Sequence, residues 1–284
     1  MKQEEGNFQG VKDHELYYQA WLPDGDVKAT IQLVHGYAEH SGRYGNVVQK
    51  LVPEGYAIFA DDLYGHGKSN GKRVYIEKFD DFVEDERIFM ELINEKYPDF
   101  SGKPRFLLGH SMGSLISFHY RIKYPDHFKG VVLSGIGTKS GGMGDSKLLK
   151  GIAKGLGKLT PKLVTSSKFK AEDISRDPEV CKAYVEDPLN TPGKITVRLV
   201  SEAFVKAAAG VKELAPSIKP PLLIQYGTAD KIQFGREEFD QLFPKENVTI
   251  KAYEGLRHEI YNELEEDRKI VLQDLLDWLD SNIS

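Results

Sequence analysis

RFLLGHSMGSLISFHYRIKYP occupies residues 105–125, and its reading decides the fold. Residues 105–111 are a short, almost wholly apolar run, the pattern of a strand buried on both faces. Residues 114–124 repeat apolar side chains at helical spacing and stop before Pro125. Between the two, Gly109-His110-Ser111-Met112-Gly113 matches G-x-S-x-G in the strand–turn–helix setting that this motif needs. On such a turn the serine hydroxyl is thrust into the open. Small residues two positions away on each side let neighbouring segments approach, and the amide of Met112 is aimed at a carbonyl under attack.

The same two periodicities alternate outward from this turn. Strands are predicted over 15–22, 29–36, 55–62, 130–137, 221–227 and 248–255. Helices are predicted over 78–97, near 235–243 and over 265–282. The first presents Phe79, Phe82, Val83, Ile88, Phe89, Leu92 and Ile93 on one face. The last presents Ile270, Val271, Leu275, Leu276 and Leu279. Alternation of this kind implies right-handed crossovers and an α/β fold with a mostly parallel, doubly covered sheet. Residues 138–217 contain no convincing strand and several helical pieces. The expected division is a core of 1–137 and 218–284 with a helical cap of 138–217 over the carboxyl ends of the strands.

A serine alcohol is a weak nucleophile near neutral pH and needs a base, itself oriented by a carboxylate. After an elbow serine the partners follow in the order acid, then histidine. Only His119, His127 and His258 follow Ser111. His119 falls inside the helix behind the serine and His127 at the opposite end of the sheet. His258, on the loop between the last strand and the last helix, is the expected base. Asp230, three residues past Gly227 on the loop after the preceding strand, is the expected acid. His35-Gly36-Tyr37 closes an early strand, where a second oxyanion donor is supplied. The expected oxyanion hole is therefore the backbone amides of Tyr37 and Met112.

Other motifs fail on spacing. Gly67-Lys68-Ser69 resembles the end of a phosphate-binding loop, but Asp62 stands where its first glycine belongs. Gly135 and Gly137 begin a dinucleotide pattern that Ser140 breaks. His35 and His40 lack a ligand register, so no metal is expected, and no cofactor is needed. Cys181, the single cysteine, has no partner for a disulfide, and Asn247-Val248-Thr249 reads as a chance glycosylation match. Over 284 residues, 40% are hydrophobic and 29% charged, which excludes a disordered tail or a collagen-like rod. A net charge of −5 argues against nucleic acid. No apolar run reaches the ~18 residues of a membrane span, and MKQEEGNFQG lacks a signal-peptide core. A cytoplasmic protein is expected.

Residues 139–170 carry eight lysines and one acid, Asp145, leaving −12 for the rest of the chain. Leu148, Leu149, Ile152, Ala153, Leu156 and Leu159 recur at helical spacing, with Lys147, Lys150, Lys154 and Lys158 largely on the other side. This predicts a basic amphipathic helix on the cap, either with its apolar face on the pocket and its lysines in water or in peripheral contact with an anionic membrane.

With these residues in place, the chain resembles the monoacylglycerol lipase and lysophospholipase family of serine esterases with the α/β-hydrolase fold. HGYAEHSGRY (35–44), DDLYGHGKSNGKR (61–73), FLLGHSMGS (106–114), ISRDPEVCKAYVEDPL (174–189) and YEGLRHEIYNE (253–263) are similar to its characteristic segments. The resemblance assigns Ser111, Asp230 and His258 to a catalytic triad and Tyr37 and Met112 to the oxyanion hole. It implies a lipid ester substrate, with a glycerol head group near the triad and an acyl chain under the cap. Lysophospholipase and short-chain or aromatic carboxylesterase members share these motifs, and a non-catalytic receptor on the same scaffold is a remote alternative. Ser114 stands where the family usually has a second glycine. Tyr37 replaces a small residue beside the oxyanion loop, which bears on the shape of the acyl entrance.

Overall fold

A computed structural model describes residues 1–140, 155, 159–167 and 169–284. Eight strands carry the described architecture: β1 (Lys2–Gln9), β2 (Glu15–Leu22), β3 (Ala29–Val34), β4 (Tyr56–Asp61), β5 (Arg105–His110), β6 (Gly130–Ser134), β7 (Leu222–Gly227) and β8 (Val248–Tyr253). They form one sheet in the order β1-β2-β4-β3-β5-β6-β7-β8. β2 runs antiparallel to both β1 and β4, and every other pairing is parallel.

Helices α1 (Gly45–Leu51), α2 (Phe79–Lys96) and α3 (Met112–Lys123) connect the first half. Period-two alternation on β5 divides the core. Leu107 packs with Phe82 and Val83 of α2 and with Leu115 and Ile116 of α3. Phe106 and Leu108 face the opposite layer, beside Val47 and Leu51 of α1 and Val271, Leu275 and Leu279 of the C-terminal helix. Because both faces are covered, β3 and β4 are buried at every position. Each fully buried leucine here contributes about 1.5–3 kcal/mol.

Between β6 and β7 lies the inserted segment. It holds α4 (Pro178–Glu186) and a longer helix, α5, over 197–214, whose middle stretch Val200–Ala207 is π-helical. Asp177 caps α4 by accepting from the Glu179 amide at 2.9 Å, with Pro178 at the first helical position. Glu202 of the π-helical stretch accepts from the Phe79 amide at 3.3 Å, setting a carboxylate at the positive end of α2.

Four expectations need correction. β1 is a strand that the sequence reading omits, because an edge strand with only Phe8 buried has no apolar alternation to read. The inserted segment does contain strands. Lys139–Ser140 pairs with Gln233–Phe234, and Val164–Ser166 pairs with Lys194–Thr196, pieces too short to leave a periodic signature. In place of one helix near 235–243 there is a 3₁₀ turn at Arg236–Glu238 and a short helix at Phe239–Leu242. On the C-terminal helix α6 (Glu265–Ser281), Ile270 is 60% exposed. The buried stripe is Val271, Leu272, Leu275, Leu276, Trp278 and Leu279, and Ile270 lies about 80° outside its near edge. The basic amphipathic helix expected over 147–159 lies outside the described residues, apart from Gly155 and the exposed Leu159 at its end.

Candidate active site

β3, β5, β6 and β7 end at one level, and the loops that follow them converge there. This is where parallel sheets place their ligands. Ser111 joins β5 to α3 with φ 54° and ψ −116°, a left-handed conformation that costs a non-glycine residue about 1–3 kcal/mol. The surrounding structure holds it. The Ser111 amide donates to the Ser134 carbonyl at 2.8 Å, and the Ser111 carbonyl accepts from the amides of Ser114 and Leu115 at 3.0 and 3.2 Å. The departure at Ser114 has a use, because its hydroxyl donates to the same carbonyl at 2.5 Å. Gly113 is required by close approach: a Cβ there would lie 2.1 Å from the Val34 carbonyl oxygen.

His258 follows β8 and is buried at 4% exposure. Its Nδ1 meets Asp230 Oδ2 at 2.8 Å. Asp230 Oδ1 accepts from the amides of Ile232 and Gln233 at 2.7 and 3.2 Å, and Arg236 lies 3.0 Å from Oδ2. Burial raises the Asp230 pKa, but His258, Arg236 and the Ile232 amide outweigh it and hold the carboxyl below the usual range. Burial likewise disfavours the His258 cation, and the Asp230 charge reverses this, raising the imidazole above its ordinary value. With Nδ1 engaged, Nε2 is the nitrogen left for a proton transfer. Ser111 and His258 line one cavity. His110 stacks at a tilt 4.8 Å from His258. Burial and repulsion from His258 push its pKa down to about 4, so the neighbour stays neutral.

Met112 is the first residue of α3, so its amide belongs to the helix N-terminus and has no partner within the helix. The loop carrying Tyr37 comes close to the serine, and a Cβ on Gly36 would lie 3.2 Å from Ser111 Cβ. His35 and Glu39 shape this loop. His35 donates from Nδ1 to the Gly36 carbonyl at 2.7 Å, and its Nε2 accepts from the Leu63 amide at 2.9 Å. Burial keeps this ring neutral. Glu39 Oε1 accepts from the Gly36 amide at 2.6 Å and from the Tyr44 hydroxyl at 2.8 Å.

Glu39 belongs to an ionic chain that the sequence reading misses. Arg43 donates to Glu39 Oε2 at 2.6 Å and to both oxygens of Glu259 at 2.7 and 2.8 Å. Burial opposes the Glu39 charge, yet Arg43, His110 and His35 hold its pKa down to about 2. Glu259 follows His258 in sequence, so one guanidinium joins the loop carrying Tyr37 to the loop carrying His258. The segment HGYAEHSGRY contains two of the three partners, but Glu259 stands 216 residues away. The loop is also tied to the inserted segment. The Thr191 amide donates to the Ala38 carbonyl at 3.0 Å, His40 meets Asp187 at 2.9 Å, and the Tyr37 hydroxyl donates to the Lys194 carbonyl.

The cavity at Ser111 has a volume of about 30 Å³. Its lining combines the polar Glu39, His110, Tyr184 and Glu259 with Tyr37, Phe169, Ile174, Phe204 and Ile232. A larger hollow of about 850 Å³, lined by Arg105, Arg121, Lys129 and Lys219, sits at the amino ends of the strands, away from Ser111. Arg121 there donates to the Lys219, Phe128 and Pro220 carbonyls, and Lys219 pairs with Asp126. His127 lies there, and His119 meets the Ala207 carbonyl at 3.0 Å beneath the inserted segment. The phosphate-loop lookalike is filled by Asp62, whose Oδ2 accepts from the Lys68 amide at 2.7 Å. Cys181 is half-buried and directs its Sγ to the Ser175 carbonyl at 3.2 Å. Among the described residues no cluster of three or more His, Cys, Asp or Glu could hold a metal.

Residues 25–265 match the family model described as serine aminopeptidase, S33. The chain belongs to this family. It is an α/β-hydrolase and a serine hydrolase. The S33 chain is 37% identical over 281 residues to a monoacylglycerol lipase of Mycolicibacterium smegmatis, covering 98% of both chains. It is 30% identical over 266 residues to the monoglyceride lipase of Homo sapiens, covering 93% of this chain and 86% of that one. The crystal structure of Paleococcus ferrophilus monoacylglycerol lipase superposes with a TM-score of 0.78 at 29% identity, covering 99% of this chain and 100% of the other.

Proposed function

We propose that this S33 hydrolase cleaves monoacylglycerols through an acyl-enzyme, with Ser111, Asp230 and His258 as its triad. The observation that carries the reading is the buried 2.8 Å contact between Asp230 and His258 at the cavity that Ser111 lines. Ser111 Oγ attacks the ester carbonyl carbon as His258 Nε2 takes the hydroxyl proton. Asp230 holds the tautomer and stabilises the imidazolium. The amides of Tyr37 and Met112 receive the oxyanion. As the carbonyl reforms, the bond to the alcohol oxygen breaks, and His258 returns its proton to the departing glycerol. Water, deprotonated by the same nitrogen, then attacks the acyl carbon and frees Ser111 and a fatty acid.

The lipid assignment is supported by the mixed lining of the cavity. Glu39, His110 and Tyr184 offer hydrogen-bonding partners to glyceryl hydroxyls, and Phe169, Ile174, Phe204 and Ile232 suit an acyl chain. Residues 138–217 act as a cap over a core of 1–137 and 218–284. The test is a hydrolysis panel of monoacylglycerols, diacylglycerols, lysophospholipids and short nitrophenyl esters. A strong preference for monoacylglycerols supports the reading, and a preference for lysophospholipids or short esters overturns it.

The cap also docks at an anionic bilayer surface. Leu159, Leu163 and Val164, within the lysine-rich stretch 139–170, are 81%, 54% and 46% exposed. Among the described residues no helix is long and apolar enough to cross a membrane. Each lysine near such a surface contributes about 1 kcal/mol. Co-sedimentation with anionic vesicles should weaken when Lys147, Lys150, Lys154 and Lys158 are changed to Gln, and equal binding by both proteins would overturn the docking.

A further inference from the structure

Three rings meet above Ser111. Tyr37 lies 5.9 Å from Phe169 and 5.8 Å from Phe204, and Phe169 lies 6.1 Å from Phe204. The interplanar angles of 68°, 87° and 74° make all three contacts edge-to-face. All three rings line the same cavity as the serine and histidine. That cavity, about 30 Å³, holds on the order of two water molecules. A long acyl chain does not fit there unless a lining side chain moves.

The rings are not held equally. Tyr37 is pinned by its hydroxyl on the Lys194 carbonyl and by the Thr191 amide on the next residue of its loop. Phe204 is buried, at 6% exposure, in the π-helical stretch that Glu202 anchors to α2. Phe169 is half-buried, lies in no helix or strand, and is held locally by its amide donating to Ser167 Oγ at 3.2 Å. Its ring meets its two aromatic neighbours only by their edges.

We propose that Phe169, closing against Tyr37 and Phe204, is a plug in the acyl path that sets the preferred chain length. A short acyl group reaches Ser111 beneath the rings. A long one displaces Phe169 and forfeits its edge contacts, so the plug discriminates against length rather than against esters in general. The proposal rests on the acyl side of the reading above, but it applies to any ester whose acyl group enters this way.

The test compares kcat/KM for nitrophenyl esters and glyceryl monoesters with acyl chains of four and sixteen carbons. Phe169→Ala should raise the long-to-short ratio about tenfold, the equivalent of one lost aromatic pair. Phe204→Ala should shift it the same way, and Phe169→Trp the opposite way. Phe169→Leu, which keeps most of the apolar volume but no ring, should fall between wild type and Ala. The change belongs in KM for the long chain, which a general loss of folding would not produce selectively. An unchanged or lowered ratio in the Ala and Leu variants overturns the plug. If wild type turns over nitrophenyl esters but no glyceryl ester, the monoacylglycerol reading fails while the ratio on nitrophenyl esters still decides the plug.

Discussion

Asp230 Oδ2 sits 2.8 Å from His258 Nδ1, and two backbone amides hold the other oxygen of the same carboxylate. The aspartate is therefore fixed in orientation before it fixes the histidine. An amide in its place would present a donor to Nδ1 and favour the wrong tautomer. Asp230→Asn should lower kcat by about 10⁴ with the fold intact. Steady-state kinetics alongside circular dichroism checks this, and a nearly silent substitution would move the acid elsewhere.

The pH profile follows from the same contact. In its proposed role as base His258 works only when neutral, and the Asp230 charge raises its pKa above 6.5 against the opposing effect of burial. For a water-soluble ester, kcat/KM should rise with pH through a midpoint above 6.5. A midpoint below that value would mean that burial outweighs the carboxylate.

Arg43 joins Glu39 to Glu259, and all three side chains are almost fully enclosed. Removing the cation leaves two buried carboxylates without compensation. Arg43→Ala should cost about 3–5 kcal/mol in urea denaturation. It should also lower kcat, because Glu39 holds the Gly36 amide beside Tyr37, whose amide is the proposed oxyanion donor. Arg43→Lys keeps the charge but loses the two-pronged contact with Glu259, and should recover part of each.

A second buried pair lies away from the site. Asp61 and Glu86 are enclosed together, and burial pushes the Asp61 carboxyl up to about 8 and Glu86 well above its ordinary value. In the unfolded chain Asp61 ionises near 3.8, so the folded state binds the extra proton between these values. Stability from this group is complete below about 4 and is lost progressively as pH rises through about 8. Urea midpoints measured from pH 4 to 9 should fall along this course, and Asp61→Asn should flatten it.

The central sheet is legible in the sequence because strands covered on both faces are apolar runs bounded by turns. Ser111, Asp230 and His258 can be picked out because an elbow serine restricts where its partners stand in the chain. The structure brings the aspartate and histidine into contact and the serine and histidine to one cavity. What escaped reading has no local signal. β1 is a polar edge strand, and Ile270 lies just outside the buried stripe of α6. The Glu39–Arg43–Glu259 chain depends on a loop brought in from the far end of the sequence. Phe169 and Phe204 are unremarkable until the fold sets them against Tyr37.

The most direct test of the central claim is glycerol release from a monoacylglycerol by wild type and by Ser111→Ala, compared at equal folded protein. Wild type should release glycerol rapidly, and the variant should lose at least about 10³-fold, keeping only the residual rate that an oxyanion hole supplies. Release by Ser111→Ala above about a tenth of the wild-type rate, or none by wild type, would contradict it.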